Sequence, residues 1–114
     1  MTEGIKTLIF PVSDVAKAKT TFSRLLGVEP YADQPYYVGF KVNDQDIGLD
    51  PNGHRNGMTG PVAYLHVDDI QSSMQVLLDA GGEVQGKLRD VGGGRQIVTV
   101  KDADGNAIGL LQDS

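Results

Sequence analysis

Two histidines, His54 and His66, are the only imidazoles in the chain, and cysteine is absent. Without cysteine, disulfides, thiolate metal sites and thiol nucleophiles are excluded. The spacing of the two histidines matches no zinc motif, such as two histidines one helical turn apart. The available chemistry is therefore that of imidazole, carboxylate, hydroxyl and amide groups.

The two histidines lie in different sequence contexts. His54 is in a polar stretch rich in Gly, Asn and Pro, which favours a solvated loop side chain. His66 is in an apolar stretch typical of a strand, and it is a candidate general base because imidazole titrates near neutral pH. In the alternative interpretation, His66 only forms a hydrogen bond with a helix-end backbone group beside Asp68.

The two-residue period of a strand places Val62, Tyr64 and His66 on one face. A tyrosine offers a flat apolar ring and a hydroxyl, and a histidine adds a titratable nitrogen. Tyr64 and His66 are therefore candidate contacts for a ring or carbonyl compound.

Tyr37 and Asp50 are further candidates for ligand binding. Tyr37 lies with Tyr31 and Tyr36 on and around another predicted strand, where such residues are either ligand contacts or core and interface filler. Asp50 either lines a site or opens an Asp-Pro turn with Pro51.

Arg95 follows three consecutive glycines, Gly92–Gly94. A phosphate-binding loop leads into a helix N-terminus with Lys-Ser/Thr following, whereas this triplet leads into an apolar strand. A flexible hairpin is favoured, and Arg95 is a candidate clamp for an anionic ligand if its side chain turns inward. No nucleophile elbow, serine triad or close carboxylate pair supports a hydrolytic mechanism.

The bulk composition narrows the choice of partners. The length of 114 residues is typical of one domain. A net charge of -5 and a pI near 4.7 oppose binding to nucleic acid and fit a cationic guest. There is no long apolar run and no signal-peptide pattern, so we expect no membrane partner and a cytoplasmic location.

A repeat organises the elements that carry these residues. Residues 8–15 align with 63–70 at a constant offset of 55, which pairs Asp14 with Asp69. Each aspartate suits a helix N-cap and is followed by apolar residues at the three-and-four spacing of one helix face. The core-facing positions predicted in this way are Val15, Ala18, Phe22, Leu25 and Leu26 in the first helix, and Ile70, Met74, Leu77 and Leu78 in the second.

Helix ends and strands complete each half. Gly27 and Gly81 suit the left-handed residue that ends a helix. The polar stretch 50–60 connects the halves, and it either spans a distance or overhangs a site. The predicted strands after the helices, separated by Gly, Asn and Asp turn signals, are 28–32, 36–42, 46–49, 84–91, 95–100 and 107–111.

The chain is thus predicted to be one domain, 1–114, with βαβββ units at about 4–50 and 61–112. This tandem pattern resembles the vicinal oxygen chelate superfamily, the glyoxalase and bleomycin-resistance group. The resemblance is carried by V-x-D before each helix, LLG after the first, AGG after the second and DADGNAIGLL near the end. It is closest to short bacterial glyoxalase-like proteins. It implies an α+β fold whose units form a curved mixed-sheet cup, and a homodimer.

In metal-dependent members of that superfamily, four ligands, usually His or Glu, come from strands of both units. Matching the motifs places Thr7, Gly48, Val62 and Gly109 at these positions. Thr7 is at best a weak oxygen donor, and the other three side chains have no lone pair to offer. We therefore expect no metal and no other cofactor, and the two glycines either widen the cup or relieve crowding in a curved sheet.

The resemblance also orients the candidate residues. With Val62 at an inward position, strand parity directs Tyr64 and His66 into the cup, and Asp50 is placed near its rim. The leading hypothesis is a metal-independent protein that binds a small organic molecule, including by sequestration as in bleomycin resistance. The alternative is an isomerase or lyase in which His66 is the general base and Tyr64 or Arg95 polarises an oxygen. A structural or regulatory dimer is the third possibility.

Overall fold

The computed structural model describes residues 2–113, and chain contacts divide it into two compact units. The first unit is Thr7–Val62, and the second joins the residues up to Lys6 with those from Ala63 onward. Each unit combines one helix with parallel and antiparallel strand pairs. The α+β class and the repeated βαβββ order are confirmed.

The first unit has the strand order β2-β3-β4-β1. Strands β1 and β4 are parallel, whereas β3 is antiparallel to both of its neighbours. The elements are β1 (Thr2–Pro11, which begins in the second unit), α1 (Val15–Leu26), β2 (Ala32–Gln34), β3 (Tyr37–Val42) and β4 (Gln45–Asp50).

The second unit repeats this arrangement with the order β5-β8-β7-β6. Strands β5 and β8 are parallel, and β7 is antiparallel to both neighbours. The elements are β5 (Val62–Val67), α2 (Ile70–Asp79), β6 (Glu83–Asp90), β7 (Gln96–Lys101) and β8 (Ala107–Gln112).

The two helices begin in the same way, as the repeat predicted. Asp14 has φ -130° and ψ 98°, and Asp69 has φ -137° and ψ 99°. Each carboxylate accepts a hydrogen bond from the backbone N–H three residues later, at 3.1 Å from Lys17 and 3.2 Å from Ser72. Such bonds satisfy donors that the first helical turn leaves without a partner.

The predicted helix ends are also confirmed. Gly27 and Gly81 adopt the left-handed conformation, with φ of 72° and 94°. Their backbone N–H groups donate to the carbonyls of Ser23 and Leu78. Glycine suits both positions because it has no Cβ to clash in this conformation.

Each unit has its own apolar core between helix and sheet. Val38, Phe40 and Leu49 are fully buried beneath α1, and the core beneath α2 is built around Ile70 and Leu110. Two predicted core positions are wrong, because Leu25 is 74% exposed and Leu78 is 38% exposed. Each adjoins another core-facing leucine, and neighbouring residues on a helix point about 100° apart.

The prediction for the second strand of the first unit is also wrong in position. The strand is Ala32–Gln34 rather than 28–32. Val28 packs against the core, its carbonyl accepts a hydrogen bond from the Ser23 hydroxyl at 2.9 Å, and Pro30 has no N–H to donate. Regular pairing with β3 therefore starts later.

The remaining predicted strands agree with the structure to within one residue at each end. Gly92–Gly94 form the turn between β6 and β7, with φ of 114°, 63° and 82°, so the hairpin interpretation of this triplet is confirmed. Over residues 2–113, the structure contains no helix long and apolar enough to cross a membrane.

Candidate functional site

The non-helix face of each unit, the side of its sheet away from its helix, carries the polar and aromatic candidates. In the second unit Val67, Val98 and Leu110 pack towards α2. Side chains alternate along a strand, so Tyr64 and His66 lie on the non-helix face. The parity predicted for these two residues therefore agrees with the structure.

The Tyr64 ring occupies the space left by the missing side chain of Gly109. These residues are register partners on the parallel strands β5 and β8. A Cβ added to Gly109 would lie 2.5 Å from Cγ and 2.6 Å from Cε2 of the Tyr64 ring. Of the two interpretations of this glycine, relief of crowding fits the structure, because the Tyr64 ring occupies the space that a side chain would need.

The first unit repeats the arrangement at Gly48. Its register partner is Ile9, the repeat equivalent of Tyr64. A Cβ on Gly48 would lie 2.6 Å from Ile9 Cδ1 and 2.8 Å from Tyr37 Cζ, and it would collide with the Tyr37 hydroxyl. Tyr37, a predicted ligand contact, is therefore a half-buried ring on the non-helix face of the first unit.

His66 and Arg95 are brought together by Asp113. Arg95 Nε donates a hydrogen bond to Asp113 Oδ1 at 2.7 Å, and His66 Nδ1 lies 3.8 Å from Asp113 Oδ2. The His66 side chain is 10% exposed, whereas Arg95 and Asp113 are 40% and 57% exposed. The group thus runs from a buried imidazole to a solvent-accessible carboxylate and guanidinium.

Asp113 is not among the predicted site residues, although the sequence contains a signal for it. The antiparallel register of β7 and β8 pairs Gln96 with Gln112, so Arg95 and Asp113 follow directly at the strand ends. Opposite charges at such positions attract across a strand pair. Extending the predicted last strand by two residues, from 111 to 113, would have placed Asp113 opposite Arg95.

Asp50 is the last residue of β4, and His54 lies in the turn that follows. Asp50 Oδ1 accepts a hydrogen bond from the Asn52 N–H at 2.8 Å, and its carbonyl accepts from Gly53 at 3.2 Å. These bonds are those of the turn opener that was the alternative interpretation of Asp50. His54 is exposed in the polar turn that follows.

The four positions that the resemblance matches to metal ligands can be described in the structure. Thr7 is 5% exposed and Val62 is 4% exposed, while side chains of other residues occupy the space beside Gly48 and Gly109. Within residues 2–113, no three His, Asp or Glu side chains are grouped so that they could hold a metal ion. Because glycine and valine side chains carry no oxygen or nitrogen donor, the four matched residues do not fit the ligand set of metal-dependent superfamily members.

Two carboxylates elsewhere in the second unit have lowered pKa values. Hydrogen bonds from the Asn106 side chain and backbone lower the pKa of Asp102 in the turn before β8. The backbone and hydroxyl of Ser72 lower the pKa of Asp69 at the start of α2. Both effects follow from donors that favour the charged carboxylate, and both are structural.

The model of the Glyoxalase/Bleomycin resistance protein/Dioxygenase superfamily matches residues 4–110. The chain belongs to this superfamily. The family match covers both units and agrees with the resemblance found in the sequence. A search of the curated proteins gives no significant match.

Solved structures share the fold at low sequence identity. A superfamily member from Vibrio splendidus has a TM-score of 0.71 and 17% identity, over 99% of this chain and 100% of that one. An Mn(II)-bound glyoxalase from Novosphingobium aromaticivorans has a TM-score of 0.73 and 17% identity, and the match covers 98% of this chain and 39% of that one. A Streptomyces coelicolor methylmalonyl-CoA epimerase variant in complex with 2-nitronate-propionyl-CoA has a TM-score of 0.73 and 12% identity. The match covers 100% of this chain and 99% of that one.

Proposed function

We propose that this superfamily member binds a small organic molecule without a metal ion, at the non-helix face of its second unit. The observation that carries the proposal is the grouping of His66, Arg95 and Asp113 on the same unit as the Tyr64 ring. Sequestration of the bound molecule, rather than its conversion, is the leading form of this function.

The side chains define the chemistry of the molecule. The exposed edge of the Tyr64 ring, a residue that is 9% exposed, supplies an apolar contact, and the imidazole of His66 can hydrogen-bond a carbonyl or hydroxyl oxygen. Arg95 and Asp113 are partly solvent-accessible and already paired with each other, so they suit the polar end of a ligand. A ring or carbonyl compound with one polar end fits this arrangement.

Metal independence is supported by the four ligand-equivalent positions. A hard or borderline metal ion requires several oxygen or nitrogen donors, and Gly48, Val62 and Gly109 provide none. The Mn(II)-bound glyoxalase is similar in fold alone, at 17% identity. We therefore assign binding of the small molecule to the protein side chains alone, without a metal ion.

The position of Asp113 favours one second function, proton transfer by His66. A carboxylate facing Nδ1 stabilises the imidazolium that forms when a histidine accepts a proton. In an isomerase, His66 would remove a proton from the carbon beside a carbonyl and return it at another position or face, with Tyr64 or Arg95 polarising the oxygen. The epimerase with its bound CoA nitronate shows that the same fold accommodates a ligand of this class.

The test is a ligand-observed NMR screen of carbonyl compounds, aromatic compounds and CoA thioesters, followed by titration of any hit into three variants. Tyr64→Ala and His66→Ala should each weaken binding roughly ten- to a hundredfold, the effect of about 1–3 kcal/mol of lost contacts. His54→Ala is the matched control, because His54 is exposed in a turn, and it should bind like the wild type. Equal affinity in all three variants would overturn the site.

The same samples distinguish binding from catalysis. In deuterium oxide, a sequestering protein returns the ligand without deuterium. An enzyme that uses His66 exchanges the proton beside the carbonyl, and His66→Ala abolishes the exchange. Saturable binding without exchange supports sequestration.

We also propose a homodimer of cytoplasmic chains as the working form. Two apolar side chains on the helix surfaces, Leu25 and Val76, are 74% and 68% exposed. Exposed apolar residues of this size are often covered in oligomers. The acidic charge and the absence of a basic cluster in the sequence support a partner that is neither nucleic acid nor an anionic membrane.

A further inference from the structure

Asp46, in the first unit, has a buried carboxylate oxygen without a hydrogen bond. Its side chain is 9% exposed, and Oδ1 is the one buried side-chain atom of residues 2–113 that has no hydrogen-bond partner. Buried carboxylates are normally hydrogen-bonded, because desolvating a charge without compensation is costly. The Lys41 ammonium gives this oxygen an ion pair at 3.5 Å but no hydrogen bond, so the oxygen can still accept a hydrogen bond from a bound donor.

The position of Asp46 is fixed by the strands on either side. It is opposite Thr7 on β1 and opposite Lys41 on β3, and it precedes Gly48 by two residues on the non-helix face. Leu49, by contrast, packs into the core beneath α1. The carboxylate is thus held on the face that carries the aromatic rings of this unit.

Lys41 already shows what kind of group the carboxylate attracts. Its Nζ lies 3.5 Å from Asp46 Oδ1, outside hydrogen-bonding geometry, and 5.8 Å from the centre of the Tyr31 ring. An ammonium near a carboxylate and over an aromatic ring is stabilised by both charge and the ring quadrupole. The lysine side chain is 55% exposed, so it can leave without disturbing the core.

We propose that Asp46 anchors a subsite for an organic ammonium ion, with Lys41 as the resident cation that such a ligand displaces. Tyr31 forms the aromatic wall, since its ring lies against Gly39, within 3.0 Å of where a Cβ would be. A single carboxylate is too few ligands for a metal ion, and an aromatic wall favours an organic cation. The proposal does not depend on the function assigned to Tyr64 and His66, because it uses the first unit alone.

The test is titration of the protein with butylammonium chloride at constant ionic strength. Binding is monitored through the amide signals of Gly39 and Gly48 in NMR spectra. Lys41→Met keeps the length of the stem and removes the competing charge. If the resident ammonium occupies the carboxylate about nine-tenths of the time, its removal should tighten binding about tenfold. Asp46→Asn in the Lys41→Met background should abolish binding.

Three controls make the result specific. Lys19→Met removes an exposed lysine paired with Asp33 in the same unit, so it changes the net charge equally and should bind like the wild type. Tyr31→Ala, at a residue that is 58% exposed and therefore safe for folding, should weaken binding several-fold in the Lys41→Met background. 1-Butanol, the uncharged probe, should not bind.

Each variant and each control has an outcome that overturns the subsite. Unchanged affinity of butylammonium for Lys41→Met would show that the lysine does not compete with it. Equal tightening in Lys19→Met would reduce the effect to net charge, and binding of butanol would remove the role of the cation. Binding that survives Asp46→Asn, or a Tyr31→Ala variant with full affinity, would remove the anchor or the wall.

Discussion

Gly109→Ala is expected to destabilise the second unit because the Tyr64 ring occupies the space of the new methyl group. The added Cβ would lie 2.5 Å from Cγ and 2.6 Å from Cε2 of the ring. Non-bonded carbon atoms normally approach to about 3.5–4.0 Å, so the ring must move by roughly 1 Å. Tyr64 is 9% exposed, which leaves little room for that movement.

The magnitude follows from overpacking in a well-packed region, about 1–3 kcal/mol. Against this, replacing glycine reduces the entropy of the unfolded chain and stabilises by about 0.4–1 kcal/mol where the backbone allows it. Gly109 has no positive φ, so this gain applies. In a domain of this size each kcal/mol of net loss lowers Tm by about 4 °C.

Urea unfolding measured with Gly60→Ala as the matched control tests the argument. Gly60 has an ordinary φ and no atom within 4 Å of its added Cβ, so the control should be neutral or slightly stabilising. The substitution is then repeated in a Tyr64→Ala background, where Gly109→Ala should cost little, because the obstructing ring is gone. An equal cost with and without the ring, or a Gly109→Ala variant as stable as the control, would show that the Tyr64 ring does not oppose the added methyl group.

Three further measurements test the remaining inferences. Elemental analysis should find no stoichiometric transition metal; one ion per chain that resists mild chelation would contradict the assignment of Thr7, Gly48, Val62 and Gly109. Light scattering at micromolar concentration should give twice the chain mass of 12.2 kDa, and a strictly monomeric mass would reject the homodimer. In the folded state the pKa of Asp102 lies below its ordinary value of 3.8. The stabilisation that this carboxylate supplies is therefore present above pH 3.8 and is lost as the pH falls through the folded-state pKa. The stability advantage of the wild type over Asp102→Ala should therefore narrow below pH 3.8, and a constant difference would contradict it.

The local pattern of the sequence determined most of the backbone. Asp14 and Asp69 mark the two helix starts, and Gly27 and Gly81 mark their ends, because capping depends on side chains and φ values within one turn. Strand parity predicted for the same reason that Tyr64 and His66 share one face, since alternation is a property of a single strand. The superfamily was also recognisable from motifs spread along the chain.

The local sequence pattern gave a wrong prediction where two adjacent residues both matched a core-facing position. Leu25 and Leu26 both match a helical apolar stripe, and only Leu26 joins the core. The choice depends on how α1 is rotated against its sheet, which is a property of packing rather than of spacing. The position of β2 was missed for a similar reason, because contacts of Val28 with the core and with Ser23 delay the strand.

The chemistry of the candidate sites was decided by the tertiary structure. Whether Gly109 leaves a space depends on the Tyr64 ring beside it, and the ion pair of Arg95 with Asp113 depends on the register of β7 and β8. These contacts join residues that are far apart in the chain or lie on different strands. A one-residue change of register would send every side chain of a strand to the other face, so the alignment of the strands has to be known before the neighbours of a side chain can be.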